Sequence, residues 1–154
     1  MKTRTIWATL VACFVVVAAV FGADANVGTW KLNSAKSKIG PGGARNDTVS
    51  VEAAGDNMKV IVNGTGSDGK AAHNEWTGKF DGKDYPVTGD PNSDMRAYTK
   101  VNDRTLTLTL KKGGKVTTTG RIVLAADGKT RTVTTTTTTP DGKKVSSTAV
   151  YDKQ

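Results

Sequence analysis

One cysteine and one histidine stand in 154 residues, and those two shortages exclude more functions than any motif in the chain suggests. A lone thiol builds no disulfide framework, and one His with one Cys cannot supply the three or four soft ligands of a zinc site or haem ligation beyond a single bond. Thiol-based and His-based nucleophilic catalysis lose their usual partners for the same reason. Proline is scarce at four, and aromatic residues make up 6%. No stretch shows a convincing helical period, so a bundle is excluded too. Cofactors and metals are therefore expected to be absent, and no enzyme constellation of nucleophile, base and oxyanion donor can be assembled.

Export is the first thing the sequence states positively. Lys2 and Arg4 precede an almost wholly apolar run from Ile6 to Phe21, and Ala23-Asp24-Ala25 supplies an Ala-x-Ala site. This is the layout of a secretory leader, with cleavage expected after Ala25. The run is shorter than the ~20 residues of a spanning helix. Leu10-Val11-Ala12-Cys13 offers a lipobox and hence lipoprotein anchoring at Cys13 as the alternative, although the apolar run continues past it to Phe21. Residues 1–25 are thus read as a leader and 26–154 as a single domain, periplasmic or extracellular, without cysteine and with a net charge of +7.

From residue 26 the pattern is strand after strand. Asp-Gly-Lys occurs at 68–70, 81–83, 127–129 and 141–143, with Gly113-Gly114-Lys115 as a variant. Asp tolerates turn geometry, Gly supplies positive φ, and Lys discourages edge pairing. No helix start follows any of them, so they are poor phosphate-binding loops and read as hairpin turns. Between turns the period is two: Leu106, Leu108 and Leu110 alternate with Thr105, Thr107 and Thr109. Ten strands are expected, at 28–32, 48–54, 57–64, 71–80, 84–88, 94–101, 104–111, 115–126, 129–139 and 143–152. The long connection Asn33 to Asp47 holds a short helical turn ahead of Gly40-Pro41-Gly42-Gly43. The run Thr134–Thr139 reads as strand because Thr is β-branched, and its alternate members point inward as a polar lining. Short links make this an antiparallel up-and-down meander, and ten strands of one sheet avoid long open edges by closing into a barrel.

Gly28-Thr29-Trp30 resembles the Gly-x-Trp signature of lipocalins, and the ten strands resemble the fatty-acid-binding-protein barrel. Gly28-Thr29-Trp30-Lys31-Leu32-Asn33, with Phe80-Asp81-Gly82-Lys83-Asp84-Tyr85-Pro86-Val87-Thr88-Gly89, resembles small exported bacterial proteins of unassigned function. The resemblance implies a calycin-like barrel in which Trp30 plugs the closed end against an arginine from a late strand, Arg121 or Arg131. The lipocalin Thr-Asp-Tyr turn is missing.

In a meander alternate connections share an end. The end under the 33–47 connection collects nine bases, among them Lys36, Lys38, Lys112 and Lys143, and five acids, leaving +4; the opposite end carries +1. A basic mouth steers an anionic amphiphile inward, though the same lysines also simply keep turns soluble. Residues joining an apolar body to a polar tip are candidates to line the cavity: His73, Trp76, Tyr85, Arg96, Tyr98 and Tyr151. His73 and Glu75 share one strand face, and Trp76 and Phe80 the other. Asp81 and Asp84 bracket a turn and form no hydrolytic pair. Scattered bases without a helix face or aromatic-studded sheet argue against nucleic acid and leave an anionic envelope surface as a possible contact. Two readings follow. The first is an exported, non-enzymatic binding protein holding a small hydrophobic or anionic amphipathic ligand in a barrel cavity. The second is a structural or interaction protein of the envelope acting through its basic surface, favoured by a solid interior.

Overall fold

A computed structural model describes residues 24–154. Cys13 and nearly all of the expected leader lie outside the described residues. Ten antiparallel strands follow one another: β1 Gly28–Leu32, β2 Arg45–Ala54, β3 Asn57–Thr65, β4 Ala71–Gly78, β5 Tyr85–Thr88, β6 Met95–Asn102, β7 Thr105–Lys112, β8 Lys115–Leu124, β9 Thr130–Thr138 and β10 Lys144–Lys153. Each pairs with its sequence neighbours, and β1 pairs with β10, closing the barrel. The all-β meander read from the sequence is the fold.

The turns form where the glycines permit them. Gly69, Gly82, Gly128 and Gly142, one in each Asp-Gly-Lys, lie at φ between 68° and 81°, a region that a side chain disfavours. Within these turns an Asp carboxylate accepts the amide two residues on, as Asp68 does from Lys70 and Asp127 from Lys129.

Strand ends fall close to expectation except at β2, which begins at Arg45, three residues early. A bulge between Asn46 and Thr48 carries it through. Gly64 on β3 makes the bulge possible, since a side chain there would run into the Arg45 carbonyl. An extra residue breaks the alternation of two, which hides the strand from pattern reading.

β1 is short, and beyond Leu32 the connection takes its place along β10. A 3-10 turn at Ser34–Lys36 leads into it. Lys38 and Thr148 then exchange backbone hydrogen bonds, and Gly40 N donates to Ser147 Oγ at 2.9 Å. Gly40 lies so close to β10 that a side chain would strike Val145 and the Ser146 carbonyl. Ile39 is thereby placed against the core from the mouth side.

Inward side chains change character along the barrel axis. Toward the closed end they are apolar and buried, including Trp30, Val51, Val60, Leu106 and Leu124. Toward the mouth they are mixed: Gly64, Ala72, Thr118, Thr135, Thr137 and Ser147 are small or hydroxylated and half-buried, while Val87, Leu110, Val145 and Ile39 keep that end partly apolar. The registers Gly120↔Thr135↔Ser147 and Thr118↔Thr137↔Val145 place the inward threonines of the run where alternation puts them.

Candidate binding site at the barrel mouth

At the closed end Trp30 is fully buried, and its indole N–H donates to the Asn26 carbonyl at 2.9 Å. The Arg131 guanidinium lies over it, 4.8 Å from the ring centroid and 5.2 Å from that of Tyr151; Lys153 Nζ covers Trp30 at 5.2 Å. Arg131 is thus the arginine on the Trp, whereas Arg121 is exposed on the outer wall. Arg121 instead lines an open trough of about 440 Å³ with Thr119, Thr132, Thr134 and Thr136. Arg131 has no carboxylate within ion-pair reach among the described residues, and its Nε is unpartnered. Burial pushes its guanidinium down to about 10, only partly opposed by the phenols of Tyr151 and Tyr98. Burial pushes the Tyr151 phenol up to about 12. A void of about 30 Å³ adjoins Arg131, Asn26 and Tyr98. That is room for a water molecule, far below the roughly 300–1,000 Å³ of a ligand pocket.

Beside the plug, around the same void, packs an aromatic cluster. Trp76 stacks on Phe80 at 6.1 Å and meets Tyr98 and Tyr85 edge-on at 4.8 and 5.8 Å. Its indole N–H donates to the Arg96 carbonyl at 2.9 Å. These contacts correct most of the expected ligand-lining set. Trp76, Tyr98 and Tyr151 are core side chains, packed to 7% exposure or less. Tyr85 turns its hydroxyl out to Asp81 at 3.0 Å. His73 faces solvent on the outer wall between Asn63 Oδ1, 2.6 Å from Nδ1, and Glu75 Oε1, 3.3 Å from Nε2. The expected cavity gives way at this level to packed rings, with the Trp76 and Tyr85 polar tips partnered at the edge of an otherwise apolar layer.

Arg96 alone of that set stands at the mouth half. It is 5% exposed, and one terminal nitrogen donates to Asn74 Oδ1 and to Asp90 Oδ2, each at 3.2 Å. Ser93 donates to the same Asp90 oxygen, and Arg96 Nε is unpartnered. Asn74, Asp90 and Ser93 were not singled out in the sequence. The one hint was Asp90-Pro91-Asn92-Ser93, a turn-forming string, and Asp90 does accept the Asn92 amide at 2.9 Å. Across the barrel from this cluster stand the hydroxyls of β8, β9 and β10, with Thr118 and Thr137 hydrogen-bonded at 3.0 Å. The lysines Lys36, Lys38, Lys112 and Lys143 are exposed on or beside the connections at this end. Lys143 is paired with Asp141 at 3.1 Å. No group of three or more potential metal ligands occurs among the described residues.

No family model matches the chain, and no curated protein matches it. Among solved structures it is similar to EF1p2_mFAP2b bound to DFHBI, with a TM-score of 0.51 and 13% identity over 84% of this chain and 94% of that one. It is also similar to a redesigned β-barrel, mFAP1, bound to DFHBI, with a TM-score of 0.46 and 20% identity over 85% and 100%. At these identities the first likeness speaks for the fold alone. The chain is a closed ten-stranded antiparallel meander barrel, an architecture that fits the calycin-like type.

Proposed function

We propose that this is an exported, non-enzymatic, lipocalin-like binding protein that seats a small amphipathic anion in the mouth half of its barrel. The observation that carries the reading is the change of lining along the axis. Above an apolar floor the inward Thr118, Thr135, Thr137 and Ser147 are half-buried hydroxyl side chains, and the buried Arg96–Asp90 pair and exposed lysines stand at the same end. An apolar tail rests on the floor, while an anionic head lies among hydroxyl donors and under a positive field. The void at the closed end makes the ligand a shallow one, held above Trp76 and not beside Trp30. A barrel of this architecture accommodates a small ligand in EF1p2_mFAP2b, which is bound to DFHBI. His73, the one histidine, is tied to Asn63 and Glu75 on the outer wall, which supports the non-enzymatic reading.

Native mass spectrometry of protein taken from its own host's exported fraction tests this. The expected result is an added mass that leaves on denaturation and falls by at least about tenfold in Thr135→Phe, whose ring occupies the mouth. Bare polypeptide, together with unchanged surface association of Thr135→Phe, transfers the function to the basic exterior and to an anionic envelope partner.

A further inference from the structure

The barrel wall is most weakly stitched between β4 and β5. β4 pairs with β3 along its whole length, from Met58↔Gly78 to Thr65↔Ala71, but with β5 only at Glu75↔Thr88 and Trp76↔Val87. The other short ladders are lengthened by bonds beyond the strands. β1 hands over to its connection, where Asn33 N donates to the Val150 carbonyl and Lys38 pairs with Thr148. On the far side of β5, Lys100 N donates to the Phe80 carbonyl at 3.0 Å, Gly82 N to that of Tyr98 at 2.9 Å and Val87 N to that of Asp94 at 3.0 Å. β5 is thus fastened to β6. Among the described residues no such bonds lengthen the β4–β5 ladder. Toward the mouth β4 meets Gly89, at φ 79°, where a side chain would strike the His73 carbonyl. The seam is closed there by a side chain. Arg96 reaches behind β5 from β6 to Asn74 Oδ1 of β4 at 3.2 Å, while Asp90 of the 89–94 connection holds the same nitrogen.

We propose that the β4–β5 seam is a cryptic binding cleft, opened as β4 parts from β5 and filled by a flat apolar body such as an aromatic ring system. The proposal rests on the binding reading above and supplies what that reading needs. The interior void of about 30 Å³ is far below ligand size, so the wall has to yield before an apolar body can enter. Directly behind the seam Trp76 faces Val87 across the ladder, and Tyr85 meets the Trp76 ring edge-on at 5.8 Å. Parting the strands turns that contact into a slot with an aromatic wall on one side, and a ring enters it while its anionic group stays toward the mouth. The opening breaks little. It severs the two ladder rows and the Arg96–Asn74 bond, but the buried Arg96–Asp90 pair moves with β6 and stays intact. A local opening of this kind belongs to the low-stability end of a fold, and a ligand that fills the slot makes the open state dominant.

The test staples the seam. Glu75→Cys with Thr88→Cys places two thiols on a directly paired, outward-facing row, within the reach of a disulfide; Cys13→Ser in the same full chain removes the third thiol. The probe is the anionic aromatic dye anilinonaphthalene sulfonate, followed by stopped-flow fluorescence. The reduced form is expected to bind as wild type does, and the oxidised form at least about tenfold more slowly, because association then waits on an opening that the staple forbids. Hydrogen exchange of the wild-type chain is the second measurement. The Glu75 and Thr88 amides are expected to exchange at least about tenfold faster than that of Val87, which is bonded to Asp94 on the other side. Oxidised protein that binds the dye at the reduced rate overturns the seam and leaves the binding reading standing. Dye taken up by neither wild type nor the reduced form overturns the binding reading and the cleft with it. Glu75 and Thr88 amides as protected as those of β9 and β10 overturn the opening even where the dye binds.

Discussion

Replacing Arg131 with Met leaves the stability of the barrel nearly unchanged, although it removes a side chain that touches two buried rings. Two terms of similar size oppose each other. Burial lowers the guanidinium from its ordinary value to about 10, which at 1.36 kcal/mol per pH unit makes the charged form roughly 3 kcal/mol dearer inside than outside. At 4% exposure no solvent screening reduces this figure. Against it stand the faces of Trp30 and Tyr151 at 4.8 and 5.2 Å, worth about 1–2 kcal/mol each when desolvated. Methionine keeps most of the stem and drops both terms, so urea unfolding should show a change under about 1 kcal/mol. Arg131→Ala, which opens space beside the existing void, should cost about 2–4 kcal/mol. Arg131→Met also changes the alkaline limb. The unfavourable contribution of charged Arg131 is full below about pH 10 and fades as pH rises above it toward the ordinary arginine range. Tyr151, raised to about 12, contributes stability that is complete below pH 10 and is lost as pH rises through 12. In wild type the two slopes offset, and in Arg131→Met the falling Tyr151 slope stands alone. A loss of 3 kcal/mol or more in Arg131→Met at neutral pH would refute the balance and make the cation a net stabiliser of the plug.

Asp90→Asn leaves the buried Arg96 guanidinium without its charge partner, and thermal melting should report a loss of about 3–5 kcal/mol; a loss under 1 kcal/mol would mean that Asn74 and Ser93 suffice. Gly64→Ala forces a side chain against the Arg45 carbonyl at the bulge, with an expected loss of about 1–3 kcal/mol and β2 amide exchange quickened from Arg45 to Thr48. Wild-type exchange at those amides would show the bulge to be pliable.

The fold was legible because its punctuation is local. Each Asp-Gly-Lys carries its turn geometry in three residues, and the strands between them are short enough that a period of two does not drift. β2 lost its first three residues for the opposite reason, since the bulge at Asn46–Thr48 depends on a glycine eighteen or so positions away on another strand. Parity also held information that the candidate set did not use. Ile122 and Leu124 face inward, which turns Arg121 outward. Asn74 and Trp76 face inward, which puts His73 on the opposite wall, so His73 and Trp76 cannot line one cavity. The Arg96 cluster lay beyond reach of any pattern. It needs the 89–94 connection to fold back over β4, and a tertiary contact of that kind leaves no periodic trace.

The thinness of the hydrophobic inventory is the feature that joins the sequence to the site. Twenty-eight large apolar side chains after residue 25 are few for ten strands. A barrel with so few could either hollow out evenly or concentrate them at one end. The second happens on β8, β9 and β10, while Val87, Leu110 and Ile39 carry apolar surface toward the mouth, and the reason is sequence order. β7 alternates leucine with threonine, and Leu106, Leu108 and Leu110 face inward over most of its length. β9 and β10 change character along their length: Val133, Arg131, Ala149 and Tyr151 face inward near the closed end, and Thr135, Thr137, Ser147 and Val145 near the mouth. Threonine keeps the β-branched shape that a strand favours while offering a hydroxyl in place of a methyl. The run at 134–139 therefore preserves closure of the barrel while giving the mouth half hydrogen-bonding capacity that an isoleucine or valine run would not supply. A Thr135→Val, Thr137→Val double substitution keeps the shape and removes that capacity, so a ligand recognised through these hydroxyls weakens while the barrel itself does not.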